Sequence, residues 1–118
     1  AGFTLAFLAC FDPGDRVGVV EPGYPCYRNT LMALGVEPVP IAVGPGRRWA
    51  PTPAQLDACG TVAGVVVASP SNPTGTVLAP GDLQALVAWC ARRQVWLVSD
   101  EIYHGITYGR RAASALGT

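Results

Sequence analysis

Lysine is missing from all 118 residues, so the eight basic residues of fixed charge are all arginines. This excludes any chemistry in which these residues supply a side-chain amine, whether as a carbonyl-capturing nucleophile or as a phosphate-loop cation. Charge of either sign is scarce as well. Charged residues make up only 14% of the chain, and the formal net charge is zero. The arginines include three isolated pairs, Arg47-Arg48, Arg92-Arg93 and Arg110-Arg111, with no basic stripe. Neither a nucleic-acid footprint nor an anionic-membrane surface is expected from that pattern. Histidine occurs once, at His104, and the four cysteines (Cys10, Cys26, Cys59 and Cys90) are scattered with no C-x-x-C spacing. Zinc binding is excluded on these grounds, and the cysteines read as reduced, small apolar side chains of a cytoplasmic protein. No apolar run approaches the ~20 residues of a spanning helix. The apolar stretch from Ala1 to Phe11 lacks the basic start of a signal peptide. Also missing are the phosphate-binding, dinucleotide, zinc-protease and serine-elbow signatures, so phosphoryl transfer and hydrolysis recede.

What remains is half apolar and long enough for one domain. Phe3, Phe7 and Cys10 follow helical spacing up to the turn Asp12-Pro13-Gly14-Asp15. Val17 to Val20 is a short β-branched run that ends at Glu21-Pro22-Gly23. A helix starting near Pro25 turns Leu31 and Leu34 inward and stops at Gly35. Val39 to Val43 is a strand candidate that Pro38 and Pro40 push to a sheet edge. Thr52-Pro53-Ala54-Gln55 has the spacing of a capping box, and Gly60 closes the short helix that follows. Val62 to Ala68 is a buried strand. Leu83, Leu86, Val87 and Cys90 then form a helical stripe ending at Arg92 and Arg93, and Val95 to Val98 is a fourth strand.

Strands without a polar face, alternating with helices of about 8 to 15 residues, imply parallel strands joined by crossovers. The expected fold is α/β: a doubly wound, mainly parallel sheet of about four strands with helices on both faces. Ligands of such sheets bind beyond the carboxyl ends of the strands. Tyr24 follows the first strand, Asn72 the third, and Asp100 with Tyr103 the fourth. An aromatic face, an amide, a carboxylate and a phenol on one rim suit a planar heteroaromatic ligand with a ring nitrogen and an oxygen substituent. Pyridoxal 5'-phosphate answers that description.

Four landmarks in order, Asp12-Pro13-Gly14-Asp15, Glu21-Pro22-Gly23-Tyr24-Pro25, Ser71-Asn72-Pro73-Thr74-Gly75 and Ser99-Asp100-Glu101-Ile102-Tyr103, resemble those of class I/II aminotransferases of fold-type I. The resemblance covers essentially the whole chain. It implies that Asp100 pairs with the protonated pyridine nitrogen and keeps the ring an effective electron sink. It further implies that Asn72 and Tyr103 donate hydrogen bonds to the ring's phenolic oxygen, and that Tyr24 stacks on the ring face, with Tyr27 as the alternative. His104 receives no chemical role.

The same resemblance defines what residues 1–118 do not hold. The family carries its cofactor on a lysine, expected a short distance beyond the position matching Thr118, so no catalytic residue is assigned here. The phosphate-binding turn is expected just before Ala1, and the substrate-carboxylate arginine in a later small domain. The chain is thus read as a partial pyridoxal-phosphate-binding large domain, inactive alone, whose full-length protein transfers an amino group between an L-amino acid and a 2-oxo acid as a homodimer. The rivals are a lyase or synthase of the same fold and a truncated or binding-only protein.

Overall fold

The computed structural model describes residues 1–117. In chain order its elements are α1 (Gly2–Cys10), β1 (Arg16–Glu21), α2 (Pro25–Ala33), β2 (Glu37–Ala42), α3 (Pro53–Ala58), β3 (Gly64–Ala68), α4 (Pro80–Arg93) and β4 (Trp96–Asp100), with short 3-10 turns at Pro45–Arg47 and Ala115–Gly117. All strand pairs are parallel, and the sheet order is β2-β1-β3-β4. From β1 the chain first builds outward to β2, then returns to lay β3 against the opposite side of β1. The strand order therefore reverses between β1 and β3, the place where open α/β sheets form a ligand crevice.

Each helix boundary has a local cause. In α2, Gly35 takes φ +76, Gly35 N–H donates to the Met32 carbonyl and Val36 N–H to that of Leu31, so the left-handed glycine ends the helix as expected. In α3 the capping box forms in full: Thr52 Oγ1 accepts from Gln55 N–H, while Gln55 Oε1 accepts from Thr52 N–H. Asp82 in the first turn of α4, and Arg92 and Arg93 in its last, complement the helix dipole.

The proline-bearing strand lies at an edge, as its sequence requires. Glu37 N–H donates to the Asp15 carbonyl and Val43 N–H to that of Glu21, so the odd positions of β2 face β1 with their donors. Pro38 and Pro40, on the even positions, lack a donor only where no strand would receive it. The other edge is β4 among the described strands. Its Trp96 is 58% exposed. β3 starts at Gly64 rather than Val62. Val62 and Ala63 are an approach segment, with Ala63 N–H donating to the Arg16 carbonyl before the ladder begins.

Side chains alternate between the two sheet faces and build two cores. On one face Phe7, Phe11, Val17, Val19, Leu31 and Val66 pack beneath α1 and α2. On the other, Ile41, Leu56, Val65, Val67, Leu83 and Trp89 pack beneath α3 and α4. Trp89 is 2% exposed and joins the α4 stripe, whereas Val87 is only half-buried. Gly64 is fixed by close approach: a Cβ there would lie 2.5 Å from Phe11 Cε1 and 2.9 Å from the Trp96 carbonyl oxygen.

Candidate functional site

The carboxyl ends of β1, β3 and β4 open onto one cleft of about 660 Å³, whose walls include Phe3, Tyr24, Tyr27, Asn72, Asp100 and Tyr103. Tyr24, Asn72, Asp100 and Tyr103, the four residues singled out in the sequence, therefore share one cavity. The loops and helix ends that carry them arise from three different strands, which is why their separation in sequence vanishes in space.

Asp100 closes β4. Its Oδ2 accepts the Tyr27 hydroxyl at 2.6 Å, and its Oδ1 accepts the Ile102 N–H at 3.1 Å. Neither donor is cationic, and no arginine or histidine forms an ion pair with this carboxylate among the described residues. The carboxylate is thus oriented by two neutral donors while its charge remains uncompensated. Such a group favours a cation placed beside it. Burial, reinforced by the hydrogen bond and charge of Asp100, pushes the Tyr27 phenol far above its ordinary range, so it stays a donor.

The aromatic wall is mutually braced. Tyr24 and Tyr27 meet edge to face with centroids 5.5 Å apart, and Phe3 meets Tyr27 at 5.2 Å and Tyr24 at 6.3 Å, each near perpendicular. These are favoured quadrupolar contacts, and they hold the Tyr24 ring in one attitude. Tyr27 is 6% exposed with its hydroxyl committed to Asp100, whereas Tyr24 is 37% exposed and presents its ring more openly.

Asn72 stands at an exposed rim position on a pinned loop. Leu78 N–H donates to the buried Ser69 hydroxyl at 3.0 Å, Gly75 N–H to the Ser71 carbonyl at 2.8 Å, and Ser71 N–H to that of Thr76 at 2.9 Å. Tyr103 is 41% exposed and follows β4 in a turn closed by the His104 N–H to the Glu101 carbonyl. His104 lies outside the cleft wall, with Nδ1 3.8 Å from Glu101 Oε2.

The family model for aminotransferase class I and II matches residues 1–117. The chain belongs to that family. It is 57% identical over 110 residues to the valine–pyruvate aminotransferase of Mycobacterium tuberculosis, covering 91% of this chain and 28% of that protein. The aspartate aminotransferase of Thermus thermophilus solved with maleate superposes with a TM-score of 0.92 at 32% identity, over 97% of this chain and 30% of its own. A 1-aminocyclopropane-1-carboxylate synthase of rice (Oryza sativa subsp. japonica) is 37% identical over 117 residues, 92% of this chain and 26% of that protein. The chain thus spans under a third of the length of these relatives.

Sequence reasoning missed two features of the cleft. Tyr27, the alternative stacking ring, instead gives its hydroxyl to Asp100. Glu101, a landmark residue with no role expected from the sequence, accepts hydrogen bonds from Ser99 and from Ala115. A phenol three positions after Tyr24, on the same side of the first turn of α2, was the available signal for the former. Among the described residues no group of three or more His, Cys, Asp or Glu could hold a metal, and no helix is long and apolar enough to cross a membrane.

Proposed function

We propose that residues 1–118 form part of the large domain of a pyridoxal-phosphate-dependent aminotransferase, which in its full-length form exchanges an amino group between an L-amino acid and a 2-oxo acid. The observation that carries this reading is the Asp100 carboxylate, oriented by two neutral donors and, among the described residues, without a cationic side-chain partner, in the wall of a cleft of about 660 Å³.

The donor set suits the pyridine end of the cofactor. Asp100 would hold the ring-nitrogen end of the cofactor by offering a counter-charge to a protonated nitrogen. Tyr27, which cannot readily ionise in its place, fixes the carboxylate's orientation. Asn72 and Tyr103 would donate hydrogen bonds to the ring's oxygen substituent, and Tyr24 would supply a flat face whose tilt is set by Phe3 and Tyr27. When bound, the cofactor supplies an electron-poor ring that draws charge away from the substrate's α-carbon. The lysine that must carry it lies outside these residues, so the activity belongs to the full-length enzyme, which we read as a cytoplasmic homodimer.

The name of the mycobacterial relative makes L-valine and pyruvate the first pair to assay. Incubation of the full-length enzyme with L-valine and pyruvate should yield alanine, or with other L-amino acids and 2-oxoglutarate glutamate, in step with loss of the donor. Pyruvate and ammonia as the only products would replace transamination by elimination, the chemistry of a lyase of this fold.

A further inference from the structure

Asp100 and Glu101 are adjacent acids with opposite duties. Asp100 turns its carboxylate to Tyr27 in the cleft wall. Glu101, whose side chain is 24% exposed, sends its own toward the chain that returns fourteen residues later. Glu101 Oε1 accepts the Ser99 hydroxyl at 2.9 Å and the Ala115 N–H at 2.8 Å, and Oε2 faces His104 Nδ1 at 3.8 Å. Burial alone would push this carboxyl up, but the donors from Ala115, Ser114 and Ser99, with the His104 charge, hold it below its ordinary range.

Between these anchor points runs the excursion 102–113, which contains turns and bends but no helix or strand. Ile102, Ile106 and Tyr108 on it are 77%, 65% and 95% exposed. Its remaining hydrogen bonds are local: Ile102 N–H to Asp100, His104 N–H to the Glu101 carbonyl and Ile106 N–H to the Tyr103 carbonyl. Ala113 and Ala115, at its far end, pack against the core beneath α4. A segment this long without helix or strand loses substantial chain entropy when its ends are joined. A charged acceptor engaging both ends is the strongest available compensation, because hydrogen bonds to an ionised group exceed neutral ones.

We propose that Glu101 is a positioning residue: by clasping Ala115 to the end of β4 it holds the 102–113 excursion closed and so fixes where Tyr103 stands in the cofactor cleft. The inference rests on reading that cleft as the pyridoxal-phosphate site. Glu101 acts through Tyr103 and the loop rather than by touching the cofactor.

The test uses the full-length enzyme and three substitutions: Glu101→Ala, Glu101→Gln and Tyr103→Phe. Hydrogen exchange across 102–113 and the dissociation constant of pyridoxal 5'-phosphate for the apoenzyme are the two readouts. Glu101→Ala should accelerate exchange throughout 102–113 and weaken cofactor binding about tenfold. Glu101→Gln should restore both only in part, since its amide oxygen still accepts from Ser99 and Ala115 but without the charge that strengthens those bonds. Tyr103→Phe should cost much less in the Glu101→Ala background than in the wild type, because the two residues act in series. Should Glu101→Ala fail to fold, Ser99→Ala, which removes one of the donors to Glu101, should give a smaller change in the same direction. Unchanged exchange in Glu101→Ala, or in Ser99→Ala where that variant stands in for it, overturns the clasp while leaving the cofactor site intact. So does strict additivity with Tyr103→Phe. A wild-type apoenzyme with no affinity for pyridoxal 5'-phosphate refutes the cofactor reading itself and the positioning role with it.

Discussion

On each side of the sheet an aromatic side chain donates a hydrogen bond to an aspartate, and the two pairs differ in what accompanies them. Behind the sheet, Trp89 Nε1 on α4 donates to Asp57 Oδ1 on α3 at 2.9 Å, and the Arg93 guanidinium reaches the same oxygen while lying 4.9 Å from the Trp89 ring centroid. At the front, Tyr27 donates to Asp100 at 2.6 Å and no cation follows. The rear pair is electrically closed. It ties two helices together, and its half-exposed ion pair contributes little beyond that. The front pair is electrically open. A neutral donor orients the carboxylate without quenching it, which is the state a binding site for a cationic ring nitrogen requires. The same chemical pairing thus serves as a fastener in one place and as an aimed charge in the other, and the presence of arginine separates the two cases.

The sharpest way to break that comparison is to truncate both acids in the full-length enzyme. Asp100→Ala should lower kcat/KM by about a thousandfold or more, because an aligned counter-charge at the reacting ring is removed. Circular dichroism should remain native, since the residue stands at a strand end. Asp57→Ala should leave kcat/KM within about twofold of wild type and lower only thermal stability, as surface ion pairs do. Comparable kinetic losses in the two variants would abolish the distinction between open and closed pairs.

Two glycines also differ in how closely they are packed. On the α1/α2 face, Gly64→Ala would drive a methyl group into the Phe11 ring and the Trp96 carbonyl, so unfolding in urea should show a loss of about 2 kcal/mol. On the α3/α4 face, Gly81 in the first turn of α4 has open space around its Cβ position. Gly81→Ala should be neutral or stabilising by up to about 1 kcal/mol. The contrast is informative because both substitutions add the same methyl group. Equal effects would mean that Phe11 yields and that the close approach at Gly64 is unimportant.

Much of this organisation was legible in the residues. The strand and helix alternation follows from local pattern, and the edge position of β2 follows from Pro38 and Pro40, whose missing donors tolerate only one neighbour. The four rim residues were legible because the carboxyl ends of parallel strands are where ligands collect, and polar residues there stand out against apolar strands. The Tyr27–Asp100 bond, which joins residues 73 positions apart, was not legible. Periodicity reports which face a side chain takes, while the partner it meets there depends on how β1 and β4 are placed across β3. Trp89 was passed over for a related reason: it extends the apolar stripe of α4, yet its indole nitrogen is needed across the helix pair by Asp57.

Removing the donor rather than the acid isolates the aiming function. Tyr27→Phe keeps the edge-to-face contacts with Phe3 and Tyr24 and deletes only the hydroxyl. Pyridoxal 5'-phosphate affinity of the full-length apoenzyme, measured by titration, should fall about tenfold, the effect of losing one hydrogen bond to a charged group. Stability should change far less. A variant with unaltered affinity would show that Ile102 N–H alone suffices to hold Asp100.

The counterpart on the rear face is Trp89→Phe, and its expected effect is the smallest. The phenyl ring retains most of the buried apolar contact beneath α4 but cannot donate to Asp57. Asp57 keeps Arg93 as a partner, so no buried charge is stranded, and the loss should be about 1 kcal/mol from one hydrogen bond and a small packing defect. Thermal unfolding should register that change, while cofactor affinity and kcat/KM should not move, because no part of this pair reaches the cleft. A measurable kinetic change would mean that strain at the α3–α4 junction is transmitted through β3 to Asn72. In that event the rear aspartate would have to be counted with the site and not with the frame that supports it.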